Sequence, residues 1–93
     1  MDSISEKPIQ ELTVRQVGEF TQKLGFEFCS IPAPQQKYIT IFTYSDESIF
    51  KMVMVYNRID RADAVSSVYF QKYGQLPFEI HNLSMLEQMC LLK

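Results

Sequence analysis

The chain has 93 residues, of which 46% are hydrophobic and 22% are charged, and its formal net charge at pH 7 is −2. This length allows one domain with a modest core, and the hydrophobic fraction excludes a chain that is disordered throughout. The acidic balance argues against a general nucleic-acid binder, because such proteins gain affinity when basic side chains displace counterions from phosphates. No apolar run reaches the length of a membrane span, and residues 1–6 are too polar for a signal peptide. We therefore expect an intracellular protein, cytoplasmic or nuclear.

The first predicted element is a helix over residues 13–24. Thr13 and Gln16 have the spacing of a capping box, in which two side chains satisfy free backbone N–H groups. Gly18 weakens such a helix, so we expect a close packing contact there. Gly25 is a favourable stop, because glycine accepts a left-handed backbone. The apolar positions at helical spacing are Val14, Val17, Phe20 and Leu24.

Three strands follow, over residues 26–31, 38–44 and 49–56, because these stretches are rich in β-branched and aromatic side chains. Two prolines in residues 31–36 indicate a loop, and residues 45–48 read as the turn of a hairpin.

The hairpin is apolar on both faces if Tyr44 lies opposite Ile49, since alternate residues of a strand point to opposite sides. One face would then hold Tyr38, Thr40, Phe42, Tyr44, Ile49, Lys51, Val53 and Val55, and the other Ile39, Ile41, Thr43, Phe50, Met52, Met54 and Tyr56. Two helices can cover only one face, so the other must be buried by residues 78–92, by a second copy of the chain or by another protein. The candidate partner contacts are Phe42, Tyr44, Phe50, Met52, Met54 and Tyr56.

A second helix is predicted over residues 60–73, because Asp60 and Asp63 suit the positive end of a helix dipole. Its inner stripe would be Val65, Val68, Tyr69 and Tyr73, with Gly74 as the stop. Beyond it we expect a short extended piece at residues 78–80 and a final helix over residues 85–92, capped by Ser84.

These elements predict an α+β fold of order α-β-β-β-α, with a three-stranded antiparallel sheet covered on one face by two helices. Residues 1–12 would be a flexible N-terminal segment and residues 13–74 the domain. Residues 75–93 would form a C-terminal extension, with its short helix, that packs on the domain or on a partner.

The stretch Gly18-Glu19-Phe20-Thr21-Gln22-Lys23-Leu24-Gly25 resembles the end of the first helix in double-stranded-RNA-binding domains. In that family a glutamate is followed three residues later by Gln-Lys and, after one more residue, by glycine. The element order over about residues 9–74 is also similar. The resemblance implies a scaffold that recognises the shape of duplex RNA rather than its sequence.

The resemblance also implies three RNA-contacting regions, and only the first is kept. Glu19 and Gln22 match the first-helix contacts. The loop at residues 31–36 lacks the usual histidine. The usual lysine run at the start of the second helix is replaced by acids and apolar residues, which leaves Arg58 and Arg61 as its only cations.

We therefore expect a degenerate member of this family, a non-catalytic module that acts mainly through protein contact. Family members that lack the basic run serve in dimerisation or in docking within RNA-processing or silencing complexes, and the resemblance implies the same here. One alternative is weak binding of duplex RNA through Glu19, Gln22, Arg58 and Arg61. A second is a small inhibitor protein of phage or host origin.

The sequence contains no motif typical of catalysis or of cofactor binding. His81 is the only histidine and has no neighbouring nucleophile or acid pattern. Cys29 and Cys90 lack metal-ligand spacing, and we expect both to be reduced. We predict no enzyme activity, no metal or other cofactor, no small-molecule substrate and no membrane contact.

Overall fold

The structure is a computed structural model that describes residues 4–33, 37–44, 50–57 and 64–91. Two short 3-10 turns, Ile4–Glu6 and Ile9–Glu11, precede the first helix. The helices are α1 (Val14–Lys23) and α2 (Leu83–Leu91), and the strands are β1 (Phe26–Ala33), β2 (Lys37–Tyr44), β3 (Phe50–Asn57), β4 (Ala64–Lys72) and β5 (Phe78–Ile80).

The five strands form one antiparallel sheet in the order β1-β2-β3-β4-β5, so that each strand pairs with its neighbours in the chain. The predicted three-stranded sheet is therefore wrong, although the α+β class is confirmed. β1 is an edge strand and extends through Pro32. An edge strand tolerates proline because one row of its backbone groups has no ladder to complete.

The prediction of a second helix is wrong, because residues 64–72 form strand β4. A β-bulge explains the error. Tyr56 pairs with Val65 and Val55 pairs with Ser67, so Ser66 is an extra residue in the ladder. The bulge places Val65 and Val68 on the same face at a spacing of three, which imitates the repeat of a helix. The element order implied by the family resemblance does not hold here.

The predicted hairpin register is also wrong, by one residue. Thr43 pairs with Lys51 and Phe42 pairs with Met52, whereas the predicted register sets them opposite Phe50 and Lys51. A shift of one residue turns every side chain of a strand to the other face. As a result the even-numbered residues of β2 and β3 share one face of the sheet, and the odd-numbered residues share the other.

The face with the even-numbered residues, here called the covered face, forms the core together with the helices. Its rings run in edge-to-face or tilted contact across all five strands, with centroid separations of 5.3–5.8 Å. The rings in this series are Phe26, Tyr44, Phe50, Phe70 and Phe78. Ile9 and Leu12, ahead of α1, are buried in the same core.

Helix α1 begins as predicted, at a complete capping box. The backbone N–H of Gln16 donates to Oγ1 of Thr13 at 3.2 Å, and the N–H of Thr13 donates to Oε1 of Gln16 at 2.9 Å. Gly25 follows the helix with φ of +94°, the left-handed conformation expected at such a stop.

Helix α2 begins two residues earlier than predicted, because Asn82 rather than Ser84 accepts from the first turn. Oδ1 of Asn82 accepts a hydrogen bond from the N–H of Met85 at 3.0 Å. Leu83, Leu86 and Cys90 of this helix are buried in the core. The helix therefore packs on the domain.

We predicted a close contact at Gly18, and this is wrong. Among the described residues, nothing outside the backbone of its own helix lies within 4 Å of the position that a methyl group would take.

We expect Gly18→Ala to raise the free energy of unfolding by about 0.5–1 kcal/mol, because alanine loses less backbone entropy in a helix. Urea unfolding measures this change. As a control, Gly25→Ala should destabilise the protein, since its methyl group would lie 3.3 Å from the Tyr44 ring. An unchanged Gly18→Ala midpoint would contradict the expectation.

Candidate protein-binding surfaces

The face of the sheet opposite the helices, here called the open face, is apolar at its centre. None of its described side chains is buried. Ile31 is 46% exposed and Tyr69 is 42% exposed. The central side chains, here called the apolar patch, are Cys29, Ile31, Ile39, Ile41, Val53, Val55 and Tyr69.

Strand pairing arranges the open face in rows that run across the strands. Cys29, Ile41, Val53 and Tyr69 form one apolar row, which ends at Glu79 on β5. A second row holds Ile31, Ile39 and Val55 and ends at Ser67. A third row, here called the polar row, borders the patch and consists of Glu27, Thr43, Lys51 and Gln71. An apolar centre with a polar border is typical of a protein interface.

A shallow cavity of about 280 Å³ lies where the polar row meets the patch. It is lined by Lys51, Val53, Tyr69, Gln71 and Pro77, together with Phe70. This cavity can accommodate a side chain of a partner between β3 and β4.

A second concave surface, here called the α1 groove, lies between α1 and strands β1, β2 and β3, on the covered face. Its volume is about 420 Å³. Phe28, which lines it, is 56% exposed. Oγ1 of Thr40 donates to the hydroxyl of Tyr56 at 3.1 Å, which places a hydroxyl pair on the strand side of the groove beside Phe42 and Met54.

The structure places the predicted partner contacts on the covered face rather than on an accessible surface. Phe42, Phe50, Met52, Met54 and Tyr56 are each at most 3% exposed. Tyr44 is half-buried, with its ring centroid 5.3 Å from those of Phe26 and Phe50. Phe42, Met54 and Tyr56 also line the α1 groove.

Sequence reasoning therefore missed the accessible apolar set, which comprises the odd-numbered aliphatic residues of β2 and β3. The sequence shows aliphatic residues at alternate positions, Ile39 and Ile41 in one strand and Val53 and Val55 in the next. This pattern does not indicate which face is accessible, because the even-numbered residues of the same strands are equally apolar.

The residues expected to contact RNA are only partly described. Glu19 and Gln22 are exposed on α1 and line the α1 groove. Glu19 forms a salt bridge with Arg15, with 3.2 Å between Oε1 and Nε. Both side chains are largely exposed, so this pair contributes little to stability. Arg58 and Arg61 lie outside the described residues.

Other reactive side chains are dispersed in the described part of the chain. Cys29 is exposed and Cys90 is buried, and neither is in a disulfide. No group of three or more His, Cys, Asp or Glu side chains among the described residues could hold a metal ion. The backbone carbonyl of His81 accepts from the N–H of Ile9 at 2.8 Å, which ties the N-terminal turn to the start of α2.

Within the described ranges, neither helix has both the length and the hydropathy needed to cross a membrane. Comparisons of the chain with protein-family models, with curated proteins and with solved structures found no match in any of the three.

Proposed function

We propose that this protein is a non-catalytic protein-binding module whose contact surface is the apolar patch of the open face. One observation carries the proposal: the patch spans four neighbouring strands and stays accessible, while the opposite face of the same sheet is packed into the core. The largest apolar patch on a soluble protein is often a binding surface.

The size of the patch indicates the strength of the contact. If it exposes roughly 300 Å² of apolar surface, a common size for such patches, burial would contribute about 7–8 kcal/mol at ~25 cal/mol per Å². Association costs offset most of this gain, at about 4–15 kcal/mol. A complex of useful affinity therefore also needs contacts from the border, which Glu27, Lys51 and Gln71 can supply.

The inhibitor alternative requires no different surface. An inhibitor protein would present the same patch to the protein that it inhibits, and the same test applies to it. Duplex RNA binding was expected from the family resemblance, through Glu19 and Gln22 on α1 and through Arg58 and Arg61 at a predicted second helix, and residues 64–72 of that predicted helix form β4. No described contact favours that activity, so we do not propose it.

A photo-crosslinking amino acid placed on each side of the molecule tests the proposal. Benzophenone-phenylalanine at Tyr69 lies in the patch, and the same residue at Leu91, which is 76% exposed on α2, serves as the control. In the cells that make the protein, we expect ultraviolet light to produce a discrete protein adduct from the Tyr69 position and none from Leu91. No adduct from Tyr69, or the same adducts from both positions, would contradict the proposal.

A further inference from the structure

We infer that the occupant of the open face is a second copy of this chain, seated face to face so that Lys51 of each copy meets Glu27 of the other. The inference rests on the proposed function, since it names the partner of the same patch. It follows from the positions of the charges and of the apolar rows on the open face.

The charges of the polar row are self-complementary about strand β2. Glu27 on β1 and Lys51 on β3 are both exposed, and both align with Thr43 on β2 between them. Consider a two-fold axis that lies between the two sheets, above β2 and parallel to the strands. It sets each row of one copy opposite the same row of the second copy, and it sets β1 of one copy opposite β3 of the other. Each Lys51 then faces a Glu27, twice per dimer. Paired sheets lie ~10 Å apart, a gap that these two long side chains can span between them.

The same axis also matches the apolar rows. Ile41 meets its own copy on the axis, and Cys29 meets Val53 of the second copy. In the next row Ile39 meets its own copy and Ile31 meets Val55. Within these three rows no charged residue is placed against the apolar centre, so their pairing strands no charge. An interface between identical chains requires this self-complementarity.

The area of the open face suits a dimer of low affinity. The axis over β2 overlaps β1, β2 and β3 of each copy, and these three strands of eight residues, at ~4.8 Å spacing and ~3.3 Å rise, give a projected face of roughly 380 Å². A standard stable interface buries about 800 Å² of accessible surface per partner. Because side chains protrude from the sheet, its accessible area is larger than the projected area and closer to the standard value. Because the overlap is smaller than a standard interface, we expect a weak dimer that forms at tens of micromolar.

Sedimentation velocity with charge-exchanged variants tests the charge pairing. The wild-type chain should sediment as a dimer at tens of micromolar. Glu27→Lys or Lys51→Glu should weaken the dimer by roughly tenfold or more, because each creates two like-charge contacts. The double variant with both changes should return to within about threefold of wild type, since it restores opposite charges. Wild-type behaviour of both single variants would overturn the inference.

A cross-linking experiment tests the position of the axis and does not depend on the charges. With Cys29→Ser as background, Ile41→Cys should be joined to its own copy by a short bis-maleimide, because Ile41 lies on the axis. Val55→Cys is the matched control, since the axis places the two Val55 residues two strands apart. Cross-linking of Val55→Cys but not of Ile41→Cys would show a different axis and overturn the arrangement.

The failure of this inference is distinguishable from failure of the proposed function. A chain that remains monomeric at 100 µM, above the concentration at which we expect the dimer, overturns the second copy as occupant. If the Tyr69 crosslinker still captures a different protein, the proposed function stands. If it captures nothing, both are overturned.

Discussion

Met54→Lys should unfold the protein, whereas Val53→Lys, one residue earlier in the same strand, should leave it folded. Met54 is 1% exposed in the core, while Val53 lies half-exposed on the open face. A lysine at position 54 loses the packing of the thioether and buries a charge without a partner. Together these cost about 5 kcal/mol or more, which is comparable with the whole stability of a small domain. A lysine at position 53 should cost about 1 kcal/mol or less.

The comparison also separates stability from binding. Circular dichroism and guanidinium unfolding report whether each variant folds, and sedimentation reports its association. Val53→Lys should keep a cooperative transition while it abolishes self-association, because it places a charge at the centre of the apolar patch. In the register expected from the sequence, with Tyr44 opposite Ile49, Val53 shares a face with Phe42 and Met54 lies on the opposite face. A folded Met54→Lys protein beside an unfolded Val53→Lys protein would favour that register over the observed one.

Phe70→Ala should lower the free energy of unfolding by about 3–5 kcal/mol, while Tyr69→Ala should lower it by about 1 kcal/mol or less. Phe70 is fully buried, and its ring centroid lies 5.7 Å from that of Phe50 and 5.8 Å from that of Phe78. Its removal leaves a cavity in the middle of the aromatic series. Tyr69 points to the open face, so its truncation removes few core contacts.

This pair distinguishes the strand from the helix that the sequence predicted. In the predicted helix Tyr69 belongs to the inner stripe with Val65 and Val68, and Phe70 lies off that stripe. The helix therefore requires Tyr69→Ala to be the costly change. Urea unfolding of the two variants beside wild type decides between them. A larger loss for Tyr69→Ala than for Phe70→Ala would contradict the strand β4.

Local signals in the sequence were sufficient for several elements. Thr13 and Gln16 fixed the start of α1, because a capping box needs only neighbouring residues. The strands β2 and β3 agree with the prediction within one residue at each end, since dense β-branched and aromatic residues disfavour a helix. The short extended piece predicted at residues 78–80 is extended in the structure, where it forms the additional strand β5.

The same kind of signal failed at residues 64–72. A bulge at Ser66 changed the spacing of the buried residues from two to three, and the periodicity then resembled that of a helix. The pairing of β4 with β3 decides the conformation, and it brings together residues far apart in sequence. No window of neighbouring residues contains that information.

The sequence by itself determined that the hairpin is apolar on both sides and that one side needs another surface to cover it. Which side is covered was decided only by the tertiary structure. Alternation fixes which residues of one strand share a face, but the relation between strands depends on register, and a shift of one residue exchanges the faces. Because both sets are apolar, composition could not choose between them. The burial of Phe42, Met52 and Met54 in one core with residues of α1 and α2 made that choice, and it left the aliphatic residues of the open face accessible.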